Sequence, residues 1–574
     1  MNDGRHMRFM TFALVFTVCL SQGCAGLLTG ESSQDIHVPT QRLRQIEPMD
    51  LSAMTQPAET EQAPTGPSTR PATTQPASAP AELTLSLAQC RAIAMENNLD
   101  LKVQLINPSI AATSVGEEEA RFESLFFANA AGAKTDSPGV TRGDDSQSDS
   151  VTADGGLEIP LRTGGTIVID HPVSWTEAEG SGSAGAVSTA DLSASISQPL
   201  LRNAGVRTNT HAIRIARYES QISEARTKLE VIRVLAAVDR VYWRLYAARR
   251  ELEVRKQQYD LAQAQLDKAR RRVSSGLAAE VEIVRAEAGL AERLEAIIIA
   301  ENNVRDRQRE LKRVLNKPGL GVGTPTILVP GTEPNPVNYR LDAQRLAEAA
   351  LANRMEMLEL ELRIAADAST IDFARNQALP LLAVEYTYNI NGAGETMDDA
   401  YDLLFDSNYQ DHRLGLKLEI PVGNAAARSR LHRAILTRLQ RLATREQRAL
   451  QIQQEVYTVV DQLQAAWQRV LASRRRSVLA WRLLQAEQRQ YELGLRTSTD
   501  VLDAQANYAD ALSAEVRALT DYQIAQIDIA FATGTLLGAS RIQWEPIESP
   551  DNREGAATRQ KVQAMDATQA VGSQ

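Results

Sequence analysis

Two stretches without proline, one between Pro199 and Pro318 and one between Pro421 and Pro546, set the strongest limit on how this chain folds. Proline breaks helix interiors, so stretches of about 120 residues without one permit very long helices. Within the first stretch, apolar residues recur every three or four positions from 222 to 273, apart from one step of seven. This spacing is typical of a coiled-coil seam, and it predicts a helical rod over 210–274, about 100 Å long.

The two stretches belong to an internal duplication. Ser86 and Gln89 have the spacing of a helix capping box, and Asp342 can cap a helix at the matching place in the second half. Farther along, Gly276 and its neighbours align without a gap on Gly494 and its neighbours, and each glycine predicts a tip where one long helix turns into the next. We therefore predict two structural repeats, 83–318 and 339–540, joined by a linker over 319–338.

Strand-like segments precede the long helices. Apolar and polar residues alternate over 382–390, 414–420 and 192–197, which predicts strands with one apolar face. Such strands suit either a half-buried soluble sheet or a transmembrane barrel, in which one face meets lipid and the other meets water. We predict two strands per half, which are too few to close a water-filled barrel without oligomerisation. Residues 157–173, with Gly164 and Gly165 at their centre, predict one further hairpin without a fixed position.

The two ends of the chain differ from the repeats. Arg5 and Arg8, an apolar run over 9–20 and small residues before Cys24 predict a signal peptide over 1–23. Cys24 directly follows Gly23 as in a bacterial lipobox, so we expect it to be acylated, with ordinary cleavage nearby as the alternative. Cys90 is then left without a disulfide partner. The Pro-, Thr- and Gln-rich segment 24–82 is predicted to be a disordered lipid-anchored tether, and 541–574 a mobile tail.

Composition and motifs exclude several other functions. A net charge of −10 argues against a general nucleic-acid binder. The six histidines lack zinc-binding spacing, and Gly319–Gly323 lacks the Lys-Ser/Thr of a phosphate loop. We therefore expect no enzymatic activity, no metal and no cofactor. The arginine runs 270–272 and 474–476 are interpreted as solvated helix faces.

Strands, a polar loop and long paired helices, repeated twice behind a signal peptide, resemble the TolC-type outer-membrane efflux channel family over 83–538. The most specific stretch, YELGLRTSTDVLDAQ at 491–505, is very similar to the family's second periplasmic turn, and SQPLL at 197–201 is similar to its strand-to-helix junction. The resemblance implies a mixed α/β membrane protein. It would be a homotrimer, with four strands per chain forming a twelve-stranded transmembrane β-barrel that a periplasmic α-helical tunnel continues.

The resemblance also implies a function and partners. The trimer would be the exit duct of a tripartite efflux or type I secretion system in the outer membrane of a diderm bacterium. Its partners would be a periplasmic adaptor (a membrane fusion protein) and an inner-membrane pump of the RND or ABC type. The alternative is a periplasmic coiled-coil structural or adaptor lipoprotein without a pore. An adaptor should carry a lipoyl-like half on each side of one hairpin, so two hairpins in a duplicated frame favour the channel.

The resemblance extends to individual residues. Asp500 and Asp503 match aspartates that ring the periplasmic entrance, and carboxylates three residues apart lie on one helix face, where threefold symmetry would gather six of them. Tyr491 and Arg496 match residues that hydrogen-bond across to the first turn, and Glu282 matches an acidic partner there. The tips resemble adaptor-docking motifs, and the residues concerned are Ser275, Gly276, Leu277, Ala278, Leu493, Gly494 and Leu495.

Overall fold

The computed structural model describes residues 81–137, 146–179 and 185–540. The predicted signal peptide, the acylation of Cys24, nearly all of the tether and the C-terminal tail lie outside these residues. Within the described ranges, none of the helices has both the length and the apolarity needed to cross a membrane.

Two matched sets of helices occur in the chain, one in each predicted repeat. The first repeat contains α1 (Leu87–Asn97), α2 (Leu99–Ala120), the short α3 (Val206–Asn209), α4 (His211–Ser274) and α5 (Val281–Leu315). The second contains α6 (Ala343–Asn353), α7 (Met355–Gln377), α8 (Met397–Asp406), α9 (Ala425–Glu492), α10 (Ser498–Ala532) and the short α11 (Leu536–Ala539). Helices α1 and α6 have 11 residues each, and α5 and α10 have 35 each.

The predicted helix starts and the predicted seam are confirmed. Ser86 and Gln89 form a reciprocal capping box, and the Asp342 carboxylate accepts from the backbone N–H groups of Gln344 and Arg345. Helix α4 begins one residue later than predicted and, with 64 residues, is about 96 Å long. Most seam residues are buried, among them Leu235, Tyr242 and Leu245 in the largest core cluster.

A small parallel sheet beside α4 joins the start of the first repeat to the inter-repeat linker. Strand β1 (Glu82–Leu85) pairs with β6 (Ile327–Pro330), so the segment predicted as an inter-repeat linker contains a strand. The buried Tyr242 hydroxyl donates to the Leu85 carbonyl at 3.2 Å and accepts from the Thr332 N–H at 2.8 Å. One side chain of α4 therefore holds the start of the first repeat against the inter-repeat linker.

Within the described residues, the large sheet is antiparallel and has six strands. In spatial order these are β2 (Leu125–Ser137), β3 (Ser146–Pro160), β4 (Thr166–Glu179), β5 (Gly185–Pro199), β7 (Leu381–Gly394) and β8 (Gln410–Glu419). The prediction of four strands per chain is therefore wrong. The hairpin predicted around 157–173 exists as β3 and β4, and it lies within the sheet between β2 and β5, so the first half contributes four strands and the second half two.

Strand register confirms the predicted apolar face. Ile169 pairs with Leu157 on one side and with Ala194 on the other, and Tyr386 joins Ile196 to Leu414. Residues paired across strands lie on the same face, so these apolar side chains form one surface. The opposite face carries mainly Ser, Thr, Asn, Asp and Glu, including Asp154, Ser193, Asn389 and Glu385.

Helix α8 was not predicted, and it lies on this apolar face. Ala400 and Leu404 pack against Ala190, in a cluster with Val173 and Ile390. Gly392 permits this close approach, because a side chain there would collide with the Ala400 carbonyl oxygen. The helix covers the end of the sheet farthest from the long helices.

The long helices continue the order of the strands to which they are joined. Helix α4 lies between α2 and α7, and α7 lies between α4 and α9. The sheet likewise runs from β2 through β5 and β7 to β8. Consequently α2 and β2 form one lateral edge of the chain, and α9 and β8 form the other.

Candidate functional site at the helical tips

Both helical hairpins turn through the same backbone arrangement. Gly276 and Gly494 have φ values of +74° and +76°. The following residue donates its N–H five positions back, from Leu277 to Arg272 and from Leu495 to Gln490, both at 2.9 Å. This helix ending requires a left-handed residue, and a Cβ at either glycine would meet nothing within 4 Å, so φ alone explains the glycines.

The turns present apolar side chains to solvent. Leu277, Leu493 and Leu495 are 70–75 % exposed, although they follow helices with buried seams. Ser275 instead donates its hydroxyl to the Arg271 carbonyl at 2.9 Å, and Ala278 is half-buried. The three leucines are therefore the residues of the predicted tip motifs that remain available to a partner.

Asp500 lies in a helix cap as well as at the predicted entrance. Its Oδ2 accepts from the Thr497 N–H at 2.9 Å and from the Thr497 hydroxyl at 2.8 Å, which completes a capping box at the start of α10. These hydrogen bonds from Thr497, the backbone one above all, hold the pKa of the Asp500 carboxyl below its usual value. Asp500 therefore stays ionised to a lower pH than an ordinary aspartate.

Asp503 lies three residues along the same helix face, and its side chain is exposed. It forms no ion pair or hydrogen bond with the residues that the structure describes. Asp510, two turns farther from the tip, is paired with Arg255 at 3.2 Å. The carboxylate at 503 therefore keeps its charge uncompensated within one chain, in contrast to the one at 510.

Tyr491 joins the second hairpin to the first. Its ring is buried with Leu484 and Val501, while the Arg272 guanidinium of the first hairpin lies 4.6 Å from the ring centre. Arg272 also donates to the Tyr491 carbonyl at 2.9 Å. Beside it, Lys268 pairs with Glu492 at 2.8 Å. A cation over an aromatic face and a charged hydrogen bond act together here.

The contact between Arg272 and Tyr491 was not predicted from the sequence. Arg272 belongs to a run interpreted as a solvated face, and for this residue the interpretation is wrong. Within the single chain, Arg496 instead contacts Gln490 and Glu487 of its own hairpin, and Glu282 pairs with Arg285 of its own helix. The signal that could have found the contact is a basic residue four positions before the first tip glycine and an aromatic residue three positions before the second.

The family comparison decides the identity of this architecture. The model of the outer membrane efflux protein family matches residues 168–317 and 346–535, one segment in each repeat. This chain belongs to the outer membrane efflux protein family. The predicted resemblance is thereby confirmed, because both matched segments include a long hairpin and its tip.

The chain is also similar to individual outer-membrane proteins. The chain is 25 % identical to the outer membrane protein TolC of Salmonella enteritidis over 281 residues, which are 47 % of this chain and 55 % of that protein. The CmeC outer membrane channel of Campylobacter jejuni is 14 % identical, with a TM-score of 0.59 over 78 % of this chain and 86 % of that one. VceC of Vibrio cholerae is 15 % identical, with a TM-score of 0.57 over 78 % and 96 %. These two structures show the shared fold.

Proposed function

We propose that this protein is the trimeric outer-membrane exit duct of a tripartite efflux or type I secretion system, anchored additionally by a lipid on Cys24. Substrate would pass without chemical change from an inner-membrane pump and a periplasmic adaptor. The proposal rests on one observation: in this member of the family, a sheet with one apolar face is connected to paired helices about 100 Å long. Such a sheet suits lipid on one side and water on the other, and such helices suit a duct that extends into the periplasm.

The gate is proposed to lie at the tips of the second hairpin. Threefold symmetry would bring Asp500 and Asp503 of three chains around one axis, where a ring of carboxylates attracts cations. The contact of Arg272 with Tyr491 would hold the second hairpin against the first and keep the entrance narrow. Arg496 and Glu282, which pair within their own hairpins here, would be available to neighbouring chains when these local contacts open.

Replacement of Asp503 by asparagine tests the gate. Single-channel currents of the purified protein in a planar bilayer should be small and cation-selective. Asp503→Asn should reduce the cation selectivity and the block by divalent cations several-fold, since it removes three negative charges from the narrowest part of the trimer. Because the pKa of Asp500 is lowered, the remaining selectivity should persist to a lower pH than an ordinary aspartate would allow.

Two variants separate charge from helix capping in this experiment. Asp500→Asn removes a charge but keeps an oxygen that can accept from Thr497, whereas Thr497→Ala breaks the cap and keeps both carboxylates. The proposal expects altered selectivity in Asp500→Asn and nearly normal selectivity in Thr497→Ala. Currents with unchanged selectivity in Asp500→Asn/Asp503→Asn would contradict the gate, and the absence of channels from folded wild-type protein would contradict the duct.

Leu277→Asp tests the proposed adaptor docking. The exposed leucine lies outside the core, so a carboxylate there should leave the trimer and its melting temperature unchanged. Binding to the adaptor, measured by pull-down from cross-linked cells, should fall at least tenfold because apolar contact surface is replaced by a charge. Thr499→Asp, an exposed change beside the second tip but outside its turn, is the matched control. Normal adaptor binding by Leu277→Asp would show that the first tip is only a turn.

A further inference from the structure

The six-stranded sheet is open at both edges. Among the residues that the structure describes, strands β2 and β8 each pair on one side only. In β8, the apolar residues Leu414, Leu416 and Leu418 are 57–75 % exposed. A sheet edge presents unpaired backbone N–H and C=O groups, and such an edge cannot remain unpaired in the hydrocarbon region of a membrane.

We propose that β8 of one chain pairs with β2 of the next, so that three chains close an eighteen-stranded barrel, three sheets of six strands, in place of the expected twelve. This inference rests on the proposed trimeric duct and determines how wide its membrane part is. The partner at each edge is a second copy of this chain.

Strand direction permits this joint, the pairing of β8 in one chain with β2 in the next. Neighbouring strands are antiparallel throughout the sheet, and because six is an even number, β2 and β8 run in opposite directions. An antiparallel ladder can therefore continue from β8 into β2 of the next chain. The helical edges follow the same pattern, since α2 and α9 lie on the same two sides of the chain as β2 and β8.

The apolar face also continues across the joint. Leu414 and Leu416 lie on the apolar face of β8, and register places Phe126, Ala128 and Ala130 on the same face of β2. The opposite face carries Arg413 and Lys417 on β8, and on β2 it carries Asn129 between Phe127 and Ala131. Closure would therefore join apolar surface to apolar surface on the outside of the barrel.

The additional hairpin is an integral part of the sheet. Strand β3 pairs with β2 along all 13 residues of β2 and with β4 along 14 positions. Its own residues alternate as a membrane strand requires, with Val151 and Leu157 on the apolar face and Thr152 and Glu158 on the polar face. A hairpin folded over the outside of a twelve-stranded barrel would keep its internal β3–β4 ladder but would lose the ladders of β3 with β2 and of β4 with β5.

The hairpin turn is also fixed to the strand-to-helix junction. The Thr163 carbonyl accepts from the Gly205 N–H at 2.9 Å and from the Gln198 amide at 3.2 Å, and the Thr163 hydroxyl donates to Gln198 Oε1 at 2.8 Å. Gly164 leaves no space for a side chain, because a Cβ would collide with the Asn203 carbonyl oxygen. The turn therefore belongs to the scaffold at the helical end of the sheet.

The two additional strands per chain would widen the barrel but not the helical tunnel. Strands β2, β5, β7 and β8 lead directly into or out of the helices, whereas β3 and β4 do not, so the number of helices in the tunnel is unchanged. With strands about 4.8 Å apart and tilted by about 40°, eighteen strands give a backbone diameter of about 36 Å, and twelve give about 24 Å. The membrane part would then be wider than the tunnel requires, which leaves the entrance as the narrowest point.

Cysteine cross-linking tests the joint. Leu416→Cys should form an interchain disulfide with one of Phe126→Cys, Ala128→Cys or Ala130→Cys, giving dimers and trimers on non-reducing gels of the full-length protein. Asn129→Cys, on the opposite face, should not cross-link with Leu416→Cys, and Leu416→Cys alone controls for other thiols. The native Cys90 is buried, which raises its pKa to about 12, and it stays unreactive. The pair Ala153→Cys and Val173→Cys, directly opposite within the sheet, is the positive control.

Barrel width is tested by electron microscopy of the wild-type trimer beside a variant that lacks residues 138–184. The deletion removes the hairpin and leaves β2 antiparallel to β5, so the variant should be a trimer with a barrel narrower by about one third. If the variant does not fold, the wild-type strand count and the cross-links decide. A trimer with twelve barrel strands and no β8–β2 cross-link would overturn the joint while preserving the duct. A protein that is not trimeric would overturn the proposed function itself.

Discussion

Val103→Asp/Ile106→Asp should leave the purified protein monomeric. Leu99, Val103, Ile106 and Ile110 follow the four-three-four spacing of a coiled-coil seam, yet each is 58–62 % exposed. Within one chain, α2 buries its other side against α4. An unpartnered seam of this kind at the lateral edge of the chain fits a second helix from a neighbouring copy.

The opposite edge offers a matching surface. On α9, the side chains of Leu450, Tyr457, Leu471 and Val478 are exposed and lie multiples of seven residues apart. A ring of three chains would place α9 of one copy beside α2 of the next, a head-to-tail contact that closes by threefold rotation. Two aspartates in each such contact would bury unpaired charges, each of which costs several kcal/mol.

The measurement is the mass of the detergent-solubilised protein by light scattering after size-exclusion chromatography. Circular dichroism of the same fractions should show that helix content is retained, since both positions face outward. Lys102→Glu changes the charge of an exposed residue beside the seam and should remain trimeric. A trimeric double aspartate variant would show that α2 does not contribute to the contact between chains.

Arg91→Ala should destabilise the folded chain by about 3–5 kcal/mol, because it leaves a buried carboxylate without its partner. Arg91 of α1 donates to both oxygens of Asp239 of α4, each at 2.7 Å, and the Asp239 side chain is 0 % exposed. The pair lies in the region where α1 and the β1–β6 sheet pack against α4. Its loss should lower the melting temperature of the purified protein by several degrees.

The effect should depend on pH in a defined direction. Burial raises the pKa of the Asp239 carboxyl, and the hydrogen bonds from Arg91 oppose this. Without Arg91, the pKa in the folded state should rise further above that in the unfolded state, so the penalty is complete above the folded-state pKa. It should disappear as the pH falls below the unfolded-state pKa, where both states carry a proton.

A second variant identifies the cause. Asp239→Asn in the Arg91→Ala background removes the buried charge, so it should restore part of the lost stability and abolish the pH dependence. An equal melting temperature in the single and double variants would indicate that Arg91 acts through packing alone. Arg233→Ala, which removes an exposed arginine paired with Glu230 on the same helix, should change the melting temperature little.

Much of the fold could be predicted because it follows local rules. The seam of α4, the capping residues Ser86 and Asp342 and the tip glycines each depend on side chains within one or two helical turns. Strand alternation is equally local, and the apolar faces of β5, β7 and β8 were predicted for that reason. The family resemblance rested on the same local patterns, above all the stretch at 491–505.

Features that depend on distant residues were missed. The place of β3 and β4 in the sheet depends on backbone pairing with β2 and β5 and on the contact of Thr163 with Gln198, 35 residues away. Arg272 and Tyr491, which are 219 residues apart, meet only because the two hairpins pack side by side. Helix α8 was overlooked because it is short and its apolar residues lie among aspartates.

The sequence by itself determined the duplication, the long helical hairpins, their glycine tips and the family, since periodicity and turn chemistry are properties of neighbouring residues. Only the tertiary structure decided the number of strands in the sheet, the residues that join the hairpins and the two lateral edges of the chain. Pairing between segments hundreds of residues apart is selected by mutual fit of backbone edges and side chains, which exists only once the chain is folded.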